Sequence, residues 1–115
     1  MVIGKEKTDL DAIDHVAISV TDIKAAVAWY TKQFKCTVDY QDESWAFLKF
    51  DNIRLALVIP SQHPAHLAFK VTDAEQYGAL KTHRDGSRSV YVKDPAGNAV
   101  ELLDRNSTTY DKVHS

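Results

Sequence analysis

The sequence predicts an α+β fold made of two βαβββ modules within one domain, and three observations predict it. The stretch HVAISVTD at residues 15–22 returns as HLAFKVTD at residues 66–73, an offset of 51. Each copy reads as a strand that closes on a Thr-Asp pair, Thr21-Asp22 and Thr72-Asp73, suited to capping a helix. Behind each pair, helical spacing of apolar residues gives way to strand-like alternation. A repeat without low-complexity content is the mark of duplicated supersecondary units that pack on each other. The 115 residues suit a single domain, with module one at about 13–60, module two at about 65–104 and polar tails at 1–11 and 105–115.

The elements follow in order. Strand 15–20 leads into IKAAVAWYTKQF, where Ile23, Val27, Tyr30 and Phe34 recur at helical spacing. CTVDY, WAFLKF and NIRLALVIP are then strand candidates, the last two separated by the turn pair Asp51-Asn52. Pro60 and Pro64 bracket an expected stiff, extended linker. Module two opens with strand 66–71 and continues into AEQYGALKTH, a shorter helix candidate with Tyr77 and Leu80 as its apolar stripe. SVYVK and AVELL close it as strands, split by the turn Asp94-Pro95-Ala96-Gly97-Asn98.

Composition narrows the function classes. Hydrophobic residues at 44% and charged residues at 26% are ordinary for a soluble globular protein. Fourteen basic against sixteen acidic residues give a formal charge of −2, which supplies no bulk attraction for nucleic acid or an anionic membrane. No apolar run approaches the ~20 residues of a membrane span, and no signal-type apolar core stands at the N-terminus. Cys36 is the sole cysteine, so an internal disulfide is excluded and a reducing cytoplasm is the expected location.

Alternation along each strand assigns the faces. Val16, Ile18 and Val20 form one apolar set, leaving His15, Ala17 and Ser19 on the other side. By the same rule Arg54, Ala56 and Val58 oppose Ile53, Leu55, Leu57 and Ile59, and His66, Ala68 and Lys70 oppose Leu67, Phe69 and Val71. Ser89, Tyr91 and Lys93 oppose Val90 and Val92, while Glu101 and Leu103 oppose Val100 and Leu102. The faces turned from the helices thus carry two histidines and a glutamate among small residues. Ala17, Ala56 and Ala68 make room there, as a cavity requires. Two histidines and one carboxylate suit a divalent metal with positions left open for a substrate, with His15, His66 and Glu101 as the ligands.

On these residues the chain resembles the vicinal oxygen chelate superfamily of glyoxalases, fosfomycin-resistance enzymes, extradiol dioxygenases and bleomycin-resistance proteins. The matching pieces are IDHVAISVTDIKAAVAWYTKQF, AHLAFKVTD and VKDPAGNAVELLD. The resemblance implies two βαβββ modules forming a curved eight-stranded cup around a metal. Ligands are drawn from the first and last strand of each module, which implies His15, His66 and Glu101 here. The fourth position falls on Ala56 or Leu57, and neither binds metal. Glyoxalase I activity is therefore not expected, because that chemistry needs a positioned base. The ligand set resembles those of extradiol dioxygenases and fosfomycin-modifying enzymes, implying Fe(II) or Mn(II), with Zn(II) or Ni(II) as further candidates.

Arg54 and Tyr91 are the candidate catalytic residues: Arg54 to hold a substrate carboxylate or phosphonate, Tyr91 to hydrogen-bond a metal-bound oxygen. Trp45 and Phe47 share their face. His63 stands three residues before His66, which in an extended chain turns it to the opposite face and excludes it as a co-ligand. His83 and His114 read as surface residues, and HRDGSRS (83–89) as a basic loop able to close over a ligand. Two functions fit: a metal-dependent enzyme acting on a small molecule, or a metal-free dimer that sequesters a drug in the manner of bleomycin-resistance proteins. A homodimer is expected in either case. In the enzyme its sites would straddle the interface, because a stiff linker would keep module two from folding back on module one.

Overall fold

The computed structural model describes residues 10–83 and 86–107. Eight strands form one curved sheet: β1 Ala12–Ser19, β2 Thr37–Gln41, β3 Trp45–Lys49, β4 Arg54–Val58, β5 His66–Val71, β6 Lys81–Thr82, β7 Arg88–Lys93 and β8 Ala99–Asp104. Among the described residues one α-helix, α1, spans Ile23–Gln33, and short 3₁₀ turns occupy Ala74–Tyr77 and Arg105–Ser107. The expected α+β cup is borne out. Its order is β2-β3-β4-β1-β5-β8-β7-β6, so each half repeats the other around a central β1–β5 pair. Within each half the first strand runs parallel to the last, β1 to β4 and β5 to β8, and β1 meets β5 antiparallel.

The alternation dictates two layers. On the convex side α1 lays Ile23 and Val27 against Ala46, Leu48 and Leu57, with Ile18, Val20, Tyr30, Cys36 and Leu55 packed around them. Full burial of one such aliphatic side chain contributes roughly 1.5–3 kcal/mol. The second half has a smaller core of Val71, Ala74 and Leu102 with Phe69, Leu80, Val90, Val92 and Val100. The concave side carries Ala17, Ala56 and Val58 against Trp45 and Phe47, as the faces require.

Three expectations are corrected. AEQYGALKTH does not form a helix: Ala74–Tyr77 makes one 3₁₀ turn, and Lys81–Thr82 pairs with β7 as a strand. The two caps differ in kind. The Asp22 carboxylate accepts the Ala25 N–H at 3.0 Å, whereas Asp73 makes no side-chain cap bond. Gly78 then ends the turn at φ 147°, a backbone state that side-chain-bearing residues rarely adopt. The linker is not extended either. The Ile59 carbonyl accepts N–H bonds from Gln62 at 2.8 Å and His63 at 3.0 Å, with Pro60 pre-set at the second turn position. The chain reverses there and β5 docks on β1 of the same chain. The tails at 1–9 and 108–115, His114 and residues 84–85 of the loop 83–89 lie outside the described residues.

Candidate metal centre

Strand register places the three candidate ligands. His15 pairs with Ala68, Ala68 with Glu101, and Ala17 with His66, so the three side chains crowd one patch of the concave face across β1, β5 and β8. Ala17 and Ala68 are their partners in the ladders. One ligand-type atom from each, His15, His66 and Glu101, lies within 4.8 Å of the others. His15 Nε2 is 3.2 Å from His66 Nε2, and Glu101 Oε1 lies 3.5 Å from the first and 3.3 Å from the second.

The far side of each imidazole is already committed. His15 Nδ1 donates to the Asp14 carboxylate at 2.7 Å, and His66 Nδ1 donates to the Pro64 carbonyl at 2.8 Å. Both acceptors lack hydrogen, so each Nδ1 carries a proton and each Nε2 faces inward. Without a proton on either Nε2, two imidazole lone pairs and a carboxylate oxygen would meet in a buried patch with no donor among them. Such an arrangement requires a proton or a cation at its centre, and two nitrogens with one oxygen suit a divalent metal. In the metal-free chain a proton fills the place. Burial opposes charge on His15, but the Asp14 and Glu101 carboxylates outweigh it and raise its pKa from 6.5 to about 9. Burial likewise opposes ionisation of Glu101, yet His15, His66 and Ser89 hold it well below the usual carboxylate range.

The two halves are equivalent position by position, and the equivalence exposes the asymmetry. Ala56 pairs with Ala17 as Glu101 pairs with Ala68, so Ala56, and not Leu57, stands at the position equivalent to Glu101. Phe47 pairs with Ala56 as Tyr91 pairs with Glu101. Each of these rings stands edge-on to its own histidine, Phe47 to His15 at 5.2 Å and Tyr91 to His66 at 5.3 Å. Burial, then the negative charge of Glu101, push the Tyr91 phenol above its ordinary pKa, so it stays a donor at any physiological pH. Arg54 flanks His15 on β4, its guanidinium bonded to Asp39 at 2.8 Å and 5.8 Å above the Phe47 ring. Beside His66, a cleft of about 360 Å³ is lined by His63, Pro64, Tyr91, Val92, Lys93 and Ala99.

The structure corrects two readings of the site. The β1–β5 pairing brings His15, His66 and Glu101 together within one chain, where the interface-straddling expectation divided them between two. His83 is not a plain surface residue: its Nε2 lies 2.6 Å from Ser89 Oγ, which donates to Glu101 Oε2 at 2.8 Å. Asp14 was missed altogether. Strict alternation turns it toward Val16 and Ile18, but the β1–β5 register slips between Ile13 and His15. That bulge turns Asp14 inward, where it is 6% exposed, bonded to His15 and 3.9 Å from Lys70 Nζ. A carboxylate next to a candidate histidine ligand was the one available signal.

Fold and candidate site together make a cup of two paired modules, and comparison with known proteins agrees on the fold. A family model for the Glyoxalase/Bleomycin resistance protein/Dioxygenase superfamily matches residues 12–79, and the chain belongs to that superfamily. A search of the curated proteins found no match. Among solved structures, a superfamily member from Vibrio splendidus is similar at TM-score 0.64 and 16% identity, over 82% of this chain and 98% of that one. A Streptomyces coelicolor methylmalonyl-CoA epimerase variant, solved with 2-nitronate-propionyl-CoA, is similar at TM-score 0.64 and 21% identity, over 80% and 95% of the two chains. A hypothetical protein from Bacillus halodurans gives TM-score 0.61 and 16% identity, over 81% and 93%. At these identities the likeness is one of fold. Among the described residues, no helix is long and apolar enough to cross a membrane.

Proposed function

We propose that the protein is a metal-dependent enzyme of its superfamily that holds two adjacent oxygens of a small molecule on a divalent ion bound by His15, His66 and Glu101. One observation carries the reading: three inward electron-pair donors converge while the outer nitrogen of each histidine is occupied by Asp14 or Pro64. A metal bound there would act as a Lewis acid toward those oxygens and orient them.

The chain's own residues support a substrate lying on the module-two side. Tyr91, hydrogen-bonded to Glu101 and beside His66, keeps its proton and would turn that hydrogen bond to a substrate oxygen. The cleft bounded by Tyr91, Ala99 and Lys93 would take the rest of the molecule, and its volume sits at the small end of ligand pockets. On the other flank Ala17, Ala56, Phe47 and Trp45 offer an apolar wall, with Arg54 at its rim. Alanine at position 56 supplies no carboxylate to move protons beside a carbonyl, and the Asp14 carboxylate is committed to His15. That supports dioxygenase-like or epoxide-opening chemistry over isomerisation of the glyoxalase I kind. The neighbouring epimerase contributes its fold and nothing about substrate.

The test is to load the protein separately with Fe(II) and Mn(II) and assay catechols, epoxides with thiol nucleophiles, and the methylglyoxal–glutathione adduct. Turnover of either of the first two that is lost in His66→Ala supports the proposal. Turnover of the adduct alone, or activity that persists in His66→Ala, contradicts it.

A further inference from the structure

We infer that Ser89, itself held by His83, is a positioning residue that restricts Glu101 to binding metal through one oxygen and so keeps a coordination position free for substrate. The inference rests on the metal site proposed above and concerns how the chain shapes it.

The two oxygens of Glu101 have separate partners. Oε1 faces His15 and His66 at 3.5 Å and 3.3 Å, while Oε2 accepts the Ser89 hydroxyl at 2.8 Å. The direction of each bond is fixed. An ionised carboxylate only accepts, so the serine proton lies toward Glu101, and the serine oxygen must accept from His83 Nε2–H at 2.6 Å. His83 also stands 3.6 Å from Oε2 and is half-buried, closing that side of the carboxylate. To bind metal through both oxygens, Glu101 would have to rotate and abandon Ser89. Ser89 is 2% exposed, so with His83 donating on its other side its hydroxyl hydrogen would be left with neither acceptor nor water. Three protein donor atoms are then all the metal receives from the described residues.

The other half of the cup supports the same reading. Ser89 pairs with Leu103 as Trp45 pairs with Val58, so Trp45 holds the equivalent position in module one. Where the carboxylate is replaced by Ala56, its hydroxyl partner is replaced as well. The serine stands only beside the carboxylate that it restrains.

Cobalt(II) reports the difference, because its visible absorption weakens as coordination number rises. The parent protein, Ser89→Ala and Ser89→Thr are each titrated with Co(II), with bound metal and absorption recorded together. The expected result is one equivalent bound by all three, absorption several-fold weaker in Ser89→Ala, and the parent spectrum restored in Ser89→Thr. If Ser89→Ala does not fold, His83→Ala takes its place and shifts the spectrum the same way by a smaller amount. A parent that binds Co(II) while the substituted proteins keep its spectrum overturns this inference and leaves the metal site standing. A parent that binds no Co(II) overturns the site, and the inference with it.

Discussion

Ala56 and Glu101 stand at the same position of two equivalent ladders: Ala56 beside Ala17, two residues beyond His15, and Glu101 beside Ala68, two residues beyond His66. The cup is therefore symmetric in backbone and asymmetric in chemistry. Module one supplies one nitrogen and an apolar wall, whereas module two supplies a nitrogen, a carboxylate and the hydroxyls around it.

Replacing Ala56 with Glu should complete a four-ligand site. Ala56 is 3% exposed, so the new carboxylate would be buried facing Glu101. Metal affinity should rise at least about tenfold, or ~1.4 kcal/mol. The metal-free variant should be less stable than the parent, since an added buried charge has no cationic partner of its own there. Calorimetric metal titration and chemical denaturation read the two effects, which have opposite signs.

Asp14→Asn keeps the size of the side chain and removes its charge. The His15 ring loses the carboxylate that fixes its tautomer, and outer partners of this kind matter about 10–100-fold in metal affinity. Affinity should fall within that range with little change in the far-ultraviolet dichroism. An affinity equal to the parent's would assign Asp14 a purely structural role.

These residues divide what could be read from the sequence and what could not. His15, His66 and Glu101 were legible because a repeat and a period of two are properties of a single strand. Asp14 was not, because a bulge is a property of two strands in register, and one inserted residue reverses the face. His83 was hidden by the helix expected over 74–83. The Tyr77–Leu80 stripe is helical, but Gly78 breaks the turn between them, and the chain returns as a strand beside β7. Pro60 misled for a related reason. A proline fixes one dihedral angle, which fits a tight turn as well as an extended linker, and only the Ile59 carbonyl bonds distinguish them.

Gly78→Ala tests that break. A Cβ at this position would lie 3.1 Å from Val90 Cγ2, at a φ of 147° that alanine rarely adopts. Stability should fall by about 1–3 kcal/mol, measured by chemical denaturation, with metal stoichiometry unchanged.

The pH dependence follows from the two shifted groups. In the metal-free protein the raised His15 pKa contributes stability that is complete below its unfolded value of 6.5 and is lost as pH rises through about 9. The depressed Glu101 pKa contributes stability that is complete above its unfolded value of 4.5 and is lost as pH falls below it. Between those two unfolded values both contributions are whole, so metal-free stability should be greatest there. Metal must displace the His15 proton, so affinity should rise about tenfold per pH unit and level off near the His15 pKa. Calorimetric titration at a series of pH values checks both the slope and the plateau.

The most direct test of the account is metal analysis of protein purified without chelator and dialysed against Mn(II) or Fe(II), beside His66→Ala treated identically. The account predicts one divalent ion per chain in the parent and none in His66→Ala, with both proteins giving the same far-ultraviolet dichroism. Equal metal content in the two, or a parent that retains no metal, would contradict a centre built from His15, His66 and Glu101.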